Sequence, residues 1–303
     1  MRALVTGAGG FVGGWLLREL RSRGATVYAG SLDGTGPADT PDGVEWLALD
    51  VTSSPSVRAA MERAAPEAVF HLAGQSSVGD SFADPIGTWE VNATGTLRVA
   101  DALPPGARLL LAGSAEVYGP VPEAEQPITE DRPLRPQNPY AASKAAAEMA
   151  ALQAGARAGV VVARAFNHTG PGQDGRFALA SFAGQLAAIR RGEAEPVLRV
   201  GNLSARRDLL DVRDVVRAYL RLVEEGRPGE VYNVASGEAR SIREAVETLV
   251  ELSGTAARIE VDPARVRPVD VPLLCGDARK LRGLGWEPHI PFRRTLEDLL
   301  GAA

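Results

Sequence analysis

The segment Thr6-Gly7-Ala8-Gly9-Gly10-Phe11-Val12-Gly13, directly after the run Arg2-Ala-Leu-Val5, limits the possible folds more than any other feature of this chain. Glycines at 7, 10 and 13 permit a tight turn, close backbone approach to a pyrophosphate, and close packing of a helix on a strand. The amides that open such a helix have no intrahelical acceptor, and together with the helix dipole they favour an anion. A turn of this kind between the first strand and the first helix implies a dinucleotide-binding α/β fold.

Short apolar runs then alternate with longer helical patterns. Strands are expected at 2–6, 26–30, 44–48, 68–73, 107–113 and 159–165, and helices near 11–23, 55–64, 85–103 and 138–155. Runs such as Ala68-Val-Phe-His-Leu72 show no polar alternation, as strands covered on both faces do. Residues 1–166 are therefore expected to form mainly a Rossmann-type, doubly wound parallel sheet that binds NAD(P). After Gly170-Pro-Gly172 the pattern loosens. Helices fit 177–191, 211–225, 240–252 and 292–300, and strands fit 197–200, 230–235 and 257–261. Residues 167–303 are expected to form mainly a smaller α/β substrate-binding lobe, interleaved so that some segments return to the first domain.

Composition removes several classes of function. A net charge of −5 and a pI near 5.4 leave no basic field for nucleic acid or anionic lipid. The single cysteine, Cys275, excludes an internal disulfide and a cysteine-based zinc site. The three histidines (His71, His168, His289) are far apart in sequence, so no metal is expected. Apolar runs such as Gly159-Val-Val-Val-Ala163 are too short to span a bilayer. Met1–Thr6 reaches the glycine cluster before a secretory apolar core could form. A reducing cytoplasm is the expected location.

Only two of the 33 basic residues are lysines, Lys144 and Lys280. Lys280 reads as a solvated helix residue, and His71 and Cys275 as core positions. Lys144 lies four residues after Tyr140 in Tyr-Ala-Ala-Ser-Lys, which puts phenol and ammonium on one helix face. An adjacent ammonium, with the positive nicotinamide ring when oxidised, is expected to lower the phenol's ordinary pKa of about 10. Such a tyrosine can exchange a proton while hydride moves to or from the carbon beyond. Ser114-Ala-Glu116 follows a strand at the carboxyl edge, where ligands of open α/β sheets bind. There Ser114 can donate to a substrate oxygen and Glu116 can act as a further acid or base. At the end of the second strand, Ser31-Leu32-Asp33 bears on the cofactor: Asp33 suits the ribose hydroxyls of NAD, whereas Leu32 stands where an arginine would take the 2′-phosphate of NADP. Ser31 would tolerate either cofactor. Asp50 reads either as a partner for the adenine amino group or as a turn or capping aspartate.

Several further stretches carry a resemblance: His71-Leu-Ala-Gly-Gln-Ser76, Val91-Asn92, Ser114-Ala-Glu-Val-Tyr-Gly119 and Arg164-Ala-Phe-Asn-His-Thr-Gly-Pro-Gly172. With the glycine turn and Tyr140–Lys144 they resemble the extended short-chain dehydrogenase/reductases that act on nucleotide sugars. Gly74 stands where alanine is common in that family, and Ala165 where proline is usual. The resemblance implies a catalytic Ser114, Tyr140 and Lys144, with Lys144 also holding the nicotinamide ribose. It further implies Phe11, Val12, Val51, Leu72, Ala73 and Gly74 beside the cofactor. Ser76, Asn167, Arg207, Arg267 and Asp270 would hold the nucleotide sugar, the two arginines at its diphosphate. His168 reads as a structural residue beside Asn167. Phe166-Asn-His-Thr-Gly-Pro-Gly-Gln173 is most similar to the reductases of GDP-4-keto-6-deoxy-mannose, which form GDP-rhamnose. NAD(P)H, a GDP-sugar and a homodimer built on helices 85–103 and 138–155 are the implied cofactor and partners. A GDP-mannose 4,6-dehydratase, a UDP-sugar 4-epimerase and a non-catalytic NAD(P)-sensing regulator are the alternatives. The regulator sits poorly with an intact tyrosine–lysine pair.

Overall fold

The structure, a computed structural model, describes residues 1–153, 159–265 and 271–303. The first half runs β1 (Arg2–Thr6), α1 (Phe11–Ser22), β2 (Thr26–Ser31), β3 (Val44–Ala48), α2 (Ser54–Ala64), β4 (Ala68–His71), α3 (Val78–Ala83), α4 (Pro85–Trp89), α5 (Gly95–Asp101), β5 (Arg108–Ser114), α6 (Pro139–Gln153) and β6 (Gly159–Ala165). The second half runs β7 (Asn167–Thr169), α7 (Ala178–Arg190), β8 (Val197–Val200), β9 (Arg206–Asp211), α8 (Val212–Glu225), β10 (Val231–Val234) and β11 (Ala239–Ser241). It closes with α9 (Ile242–Ser253), β12 (Arg258–Val261), β13 (Leu273–Leu274), α10 (Arg279–Arg282) and α11 (Phe292–Gly301).

Among the described residues, seven parallel strands form the main sheet in the order β10-β6-β5-β4-β1-β2-β3. The apolar strands are covered on both sides. Leu4, Val69, Leu109, Leu111, Val160 and Val162 pack with residues of α2, α5 and α6, whereas Val5, Phe70, Leu110, Val161 and Ala163 pack with residues of α1 and α8. Winding reverses at β1, with β2 on one side and β4 on the other. The crevice outside their carboxyl ends is where open sheets of this kind bind ligands. The second half contributes to this unit, because β10 pairs with β6 and α8 covers β5 and β6. No helix among the described residues is long and apolar enough to cross a membrane, and no group of three or more His, Cys, Asp or Glu is placed to hold a metal.

Three expectations need correction. The helix expected at 85–103 is α4, a π-helical turn (Glu90–Thr94) and α5, and a separate short α3 precedes it. Ser77 caps α3, and Asp84 caps α4 ahead of Pro85. These local caps divide a stretch whose apolar pattern reads as continuous. The strand expected at 68–73 stops at His71, which frees residues 72–76 to turn into the crevice. Short strands β7, β9 and β11 went unseen because Arg206-Arg207-Asp208 and Ala239-Arg240-Ser241 lack an apolar period. β9 pairs with β7, β11 and β13, forming a small sheet under the second half.

Candidate active site

The glycine turn is built around contacts that exclude a side chain. At Gly7, φ is +65° and a Cβ would lie 2.6 Å from Ala73 N; at Gly13 it would lie 2.4 Å from the Ala8 carbonyl. Gly10 occupies the N-cap of α1 and offers no capping side chain, and a Cβ at Gly9 would meet nothing within 4 Å. The first-turn amides therefore face an open crevice and fit a pyrophosphate. Ala8 N donates to the Gly30 carbonyl (3.2 Å), which ties the turn to β2 just before Ser31. The Phe11 ring stacks on His168, with centroids 6.2 Å apart, and so links the turn to the strand carrying Asn167.

A buried chain of hydrogen bonds joins this turn to α6. Ala73 N donates to Thr6 Oγ1 (3.1 Å), which lies 2.7 Å from His71 Nδ1. On the other side, His71 Nε2 lies 3.0 Å from Thr96 Oγ1, and that hydroxyl donates to the Asn92 carbonyl (2.6 Å). The Thr96 proton is thus spent, so His71 donates from Nε2 and accepts at Nδ1 as a neutral ring. Asn92, buried in the π turn, donates through Nδ2 to the Gln75 carbonyl (3.0 Å) and Ser143 Oγ (2.9 Å) and accepts from Gln75 N (2.8 Å). Ser143 Oγ donates to the Tyr140 carbonyl (2.8 Å). A Cβ at Gly74 would lie 2.9 Å from Asn92 Oδ1 and 3.4 Å from Lys144 Nζ, so an alanine there would press on Asn92.

Ser114 ends β5, and Tyr140 and Lys144 lie on the first turns of α6; all three are buried. Asn138 Oδ1 accepts from Ala141 N (2.8 Å), and Asn138 Nδ2 donates to Glu116 Oε2 (3.4 Å), which brings Glu116 to the start of this helix. The expected lowering of the phenol is not what the structure shows. Burial pushes Tyr140 up to about 12, the hydrogen bond with Ser114 draws it back, and the Glu116 charge raises it. Lys144 Nζ instead donates to the Ala112 carbonyl (2.9 Å), and burial brings its pKa down to about 8 against the raising effect of Glu148. At neutral pH the phenol is a proton donor and the ammonium a buried cation.

The family described as GDP-mannose 4,6 dehydratase matches residues 4–299. The chain belongs to this family. It is 43% identical over 241 residues to a GDP-6-deoxy-D-mannose reductase of Pseudomonas aeruginosa, covering 78% of this chain and 79% of that protein. Its structure superposes on that of RMD from Pseudomonas aeruginosa complexed with NADPH at a TM-score of 0.87, with 36% identity over 100% of this chain and 98% of that one. UDP-glucose 4-epimerase of Thermus thermophilus in complex with NAD gives a TM-score of 0.87 and 31% identity, over the same shares of both chains. The resemblance read from the motifs is thereby established, as is the Rossmann-type fold.

Within this family fold, Ser31 closes β2 and Asp33 follows it. Asp50 accepts from Thr52 N (2.8 Å) and Thr52 Oγ1 (2.7 Å) in a turn, whereas the cap of α2 is Ser53. Val51 is buried; Val12, Leu72 and Ala73 are partly buried, packed against the core clusters. Ser76 and Asn167 are exposed, and Arg207 lies on β9 with Nη1 donating to the Arg206 carbonyl (3.0 Å). Arg267 and Asp270 lie outside the described residues. Lys280 is not merely solvated: it donates to Glu230 (2.6 Å) and to the Val231 carbonyl (2.7 Å), and sits over the Tyr232 ring.

Sequence reasoning missed the supports of this family site. Glu148 and Arg164 form a buried pair with Nη2–Oε2 at 2.8 Å, and Arg164 also donates to Tyr118 Oη and the Glu130 carbonyl (both 3.0 Å). A glutamate four residues beyond Lys144 on the same apolar helix was the available signal. His71, expected as a core position and buried, is a second support through its bonds to Thr6 and Thr96. Burial, with the Lys144 charge adding to it, lowers its pKa from 6.5 to about 3. Between those values the unfolded chain takes up a proton that the folded chain refuses. Stability is thus complete above about pH 6.5 and falls as the pH drops toward 3, by about 1.4 kcal/mol per unit. The urea midpoint is expected to fall from pH 7 to pH 5, and less steeply in His71→Gln; equal slopes in the two proteins would contradict this.

Proposed function

We propose that this chain reduces the 4-keto group of a GDP-linked 4-keto-6-deoxy-hexose with NAD(P)H. The observation that carries the proposal is the buried Ser114–Tyr140–Lys144 group at the carboxyl edge of the sheet, beside a glycine turn fitted to a pyrophosphate. The 43% identity to a GDP-6-deoxy-D-mannose reductase supports the choice of substrate. The bound dinucleotide would supply the hydride. Ser114 orients the carbonyl oxygen, and Tyr140 gives its proton to the alkoxide as it forms. A phenol held near 12 is in the donor form that reduction needs. Lys144 stabilises the phenolate left behind and holds a ribose hydroxyl. Ser76 and Asn167 contact the sugar, and Arg207 the diphosphate. Incubation with GDP-4-keto-6-deoxy-mannose and each reduced dinucleotide, with NMR of the sugar, tests this. Stoichiometric oxidation of the dinucleotide and a 6-deoxy-hexose product are expected. A 4,6-dehydratase or 4-epimerase would instead turn over without net consumption, and specific binding to a protein partner with no oxidation would point to the sensing regulator.

The same proposal includes a cytoplasmic homodimer. Phe82, Ile86, Trp89, Leu97 and Met149 are exposed on neighbouring α3, α4, α5 and α6, with Ile86 82% exposed. Large apolar side chains clustered in this way mark an interface. Ile86→Asp is expected to convert a dimer to a monomer in sedimentation velocity; a native chain that already sediments as a monomer would contradict it.

A further inference from the structure

We infer that the adenosine end of the crevice selects NADH over NADPH. This presupposes the dinucleotide-dependent reduction proposed above and concerns the residues beyond the glycine turn. Between Arg23 and Arg58 the chain contains no lysine or arginine, while Asp33, Asp39, Asp42, Glu45 and Asp50 all fall there. That segment supplies β2, β3 and the loops at their carboxyl ends, and the Ala8–Gly30 hydrogen bond sets it directly against the glycine turn. A 2′-phosphate is normally received there by a guanidinium. The glycine turn itself, Thr6–Gly14, contains no basic residue either.

What stands at the strand end is a fixed anion. Asp33 accepts from Thr35 N (3.0 Å), Thr35 Oγ1 (2.8 Å) and Ser31 Oγ (3.2 Å). The Thr35 hydroxyl, then the Thr35 amide, hold this carboxyl below its usual range, so it is charged at neutral pH. A carboxylate accepts hydrogen bonds from a ribose diol, whereas a phosphate in the same place meets like charge. Leu32, the first residue past β2, is 79% exposed and offers only apolar surface.

The arginines flanking this segment either hold other partners or lie away from the glycine turn. Arg18 lines the cleft beside Gly9 and Gly10, and is ion-paired with Asp39 in the same cleft. Arg21 donates to the Asp42 and Ala25 carbonyls, and Arg63 pairs with Glu45. Arg58 lies with Arg2 and Glu67 in a cleft at the opposite, amino-terminal edge of the sheet.

Titration of the protein with NADH and with NADPH, followed by energy transfer from tryptophan to the dihydronicotinamide, reads the preference without any sugar present. NADH is expected to bind roughly tenfold more tightly or better at low ionic strength, the gap narrowing as salt is added. In the L32R/D33S double variant, which changes only exposed side chains, NADPH should bind at least as tightly as NADH. Wild-type protein that binds NADPH as tightly as NADH overturns the inference, as does a double variant with an unchanged ratio. Binding of neither dinucleotide overturns the cofactor reading and this inference with it. Tight NADH binding without sugar reduction removes only the reductase assignment and leaves the selectivity standing.

Discussion

Tyr140→Phe is expected to lower turnover by about 10²–10⁴-fold, the usual contribution of a positioned proton donor, with dinucleotide affinity unchanged. The ring of Tyr140 is buried at the start of α6, so phenylalanine preserves its packing and removes one oxygen. That oxygen is hydrogen-bonded to Ser114, the group proposed to orient the substrate carbonyl. Without it the alkoxide formed by hydride transfer has only the Ser114 hydroxyl beside it, a far weaker acid than a phenol. The proposed dinucleotide contacts lie on the glycine turn and at Lys144, which the substitution leaves in place. Steady-state oxidation of the reduced dinucleotide and a separate binding titration check both halves. Turnover within a few-fold of wild type would remove Tyr140 from the chemistry. Loss of binding together with turnover would show that the residue supports the site rather than acts in it.

The sheet and the placing of Ser114, Tyr140 and Lys144 at its carboxyl edge were legible because each rests on a local rule. Strands buried on both faces must read as unbroken apolar runs, and β1, β4, β5 and β6 do. The glycines at 7, 10 and 13 announce a turn where side chains collide with backbone, and Gly7 and Gly13 show that collision in the distances to Ala73 and Ala8. Tyr140 and Lys144 share a helix face by spacing alone. What periodicity could not reveal depends on contacts between segments far apart in the chain. Asn92 bridges Gln75 and Ser143 from a π turn; Val91-Asn92 stood out as a family motif, but periodicity gave neither the π turn nor its partners. The direction of the Tyr140 shift was misread for the same reason. Spacing gives the position of the ammonium but not the burial, and burial dominates the phenol. β9 was invisible because its charged residues are satisfied in place: Asp208 is buried and accepts from the Ser236 and Gly237 amides (2.7 and 2.9 Å).

Arg164→Met is expected to cost about 3–5 kcal/mol of folding stability, read as a lowered urea midpoint, because it leaves a buried carboxylate without its cation. Glu148 is 2% exposed and receives Arg164 Nε at 3.1 Å as well as Nη2 at 2.8 Å. Burial already raises its pKa, and Arg164, then Lys144, hold it down. With the guanidinium gone the carboxyl takes up a proton, and Tyr118 Oη and the Glu130 carbonyl lose a donor as well. Removing both charges, as in Glu148→Leu with Arg164→Met, should restore much of the stability, since apolar side chains of similar volume replace a buried pair at little cost. Activity should not return with it. Glu148 raises the pKa of Lys144 against burial, and without that anion the ammonium near 8 falls further and loses its proton at a lower pH. The alkaline limb of the turnover profile is therefore expected to move to lower pH in the double variant. A double variant as unstable as the single one would contradict the ion-pair account. Restored stability with an unmoved alkaline limb would show that Glu148 anchors Arg164 and does nothing for Lys144.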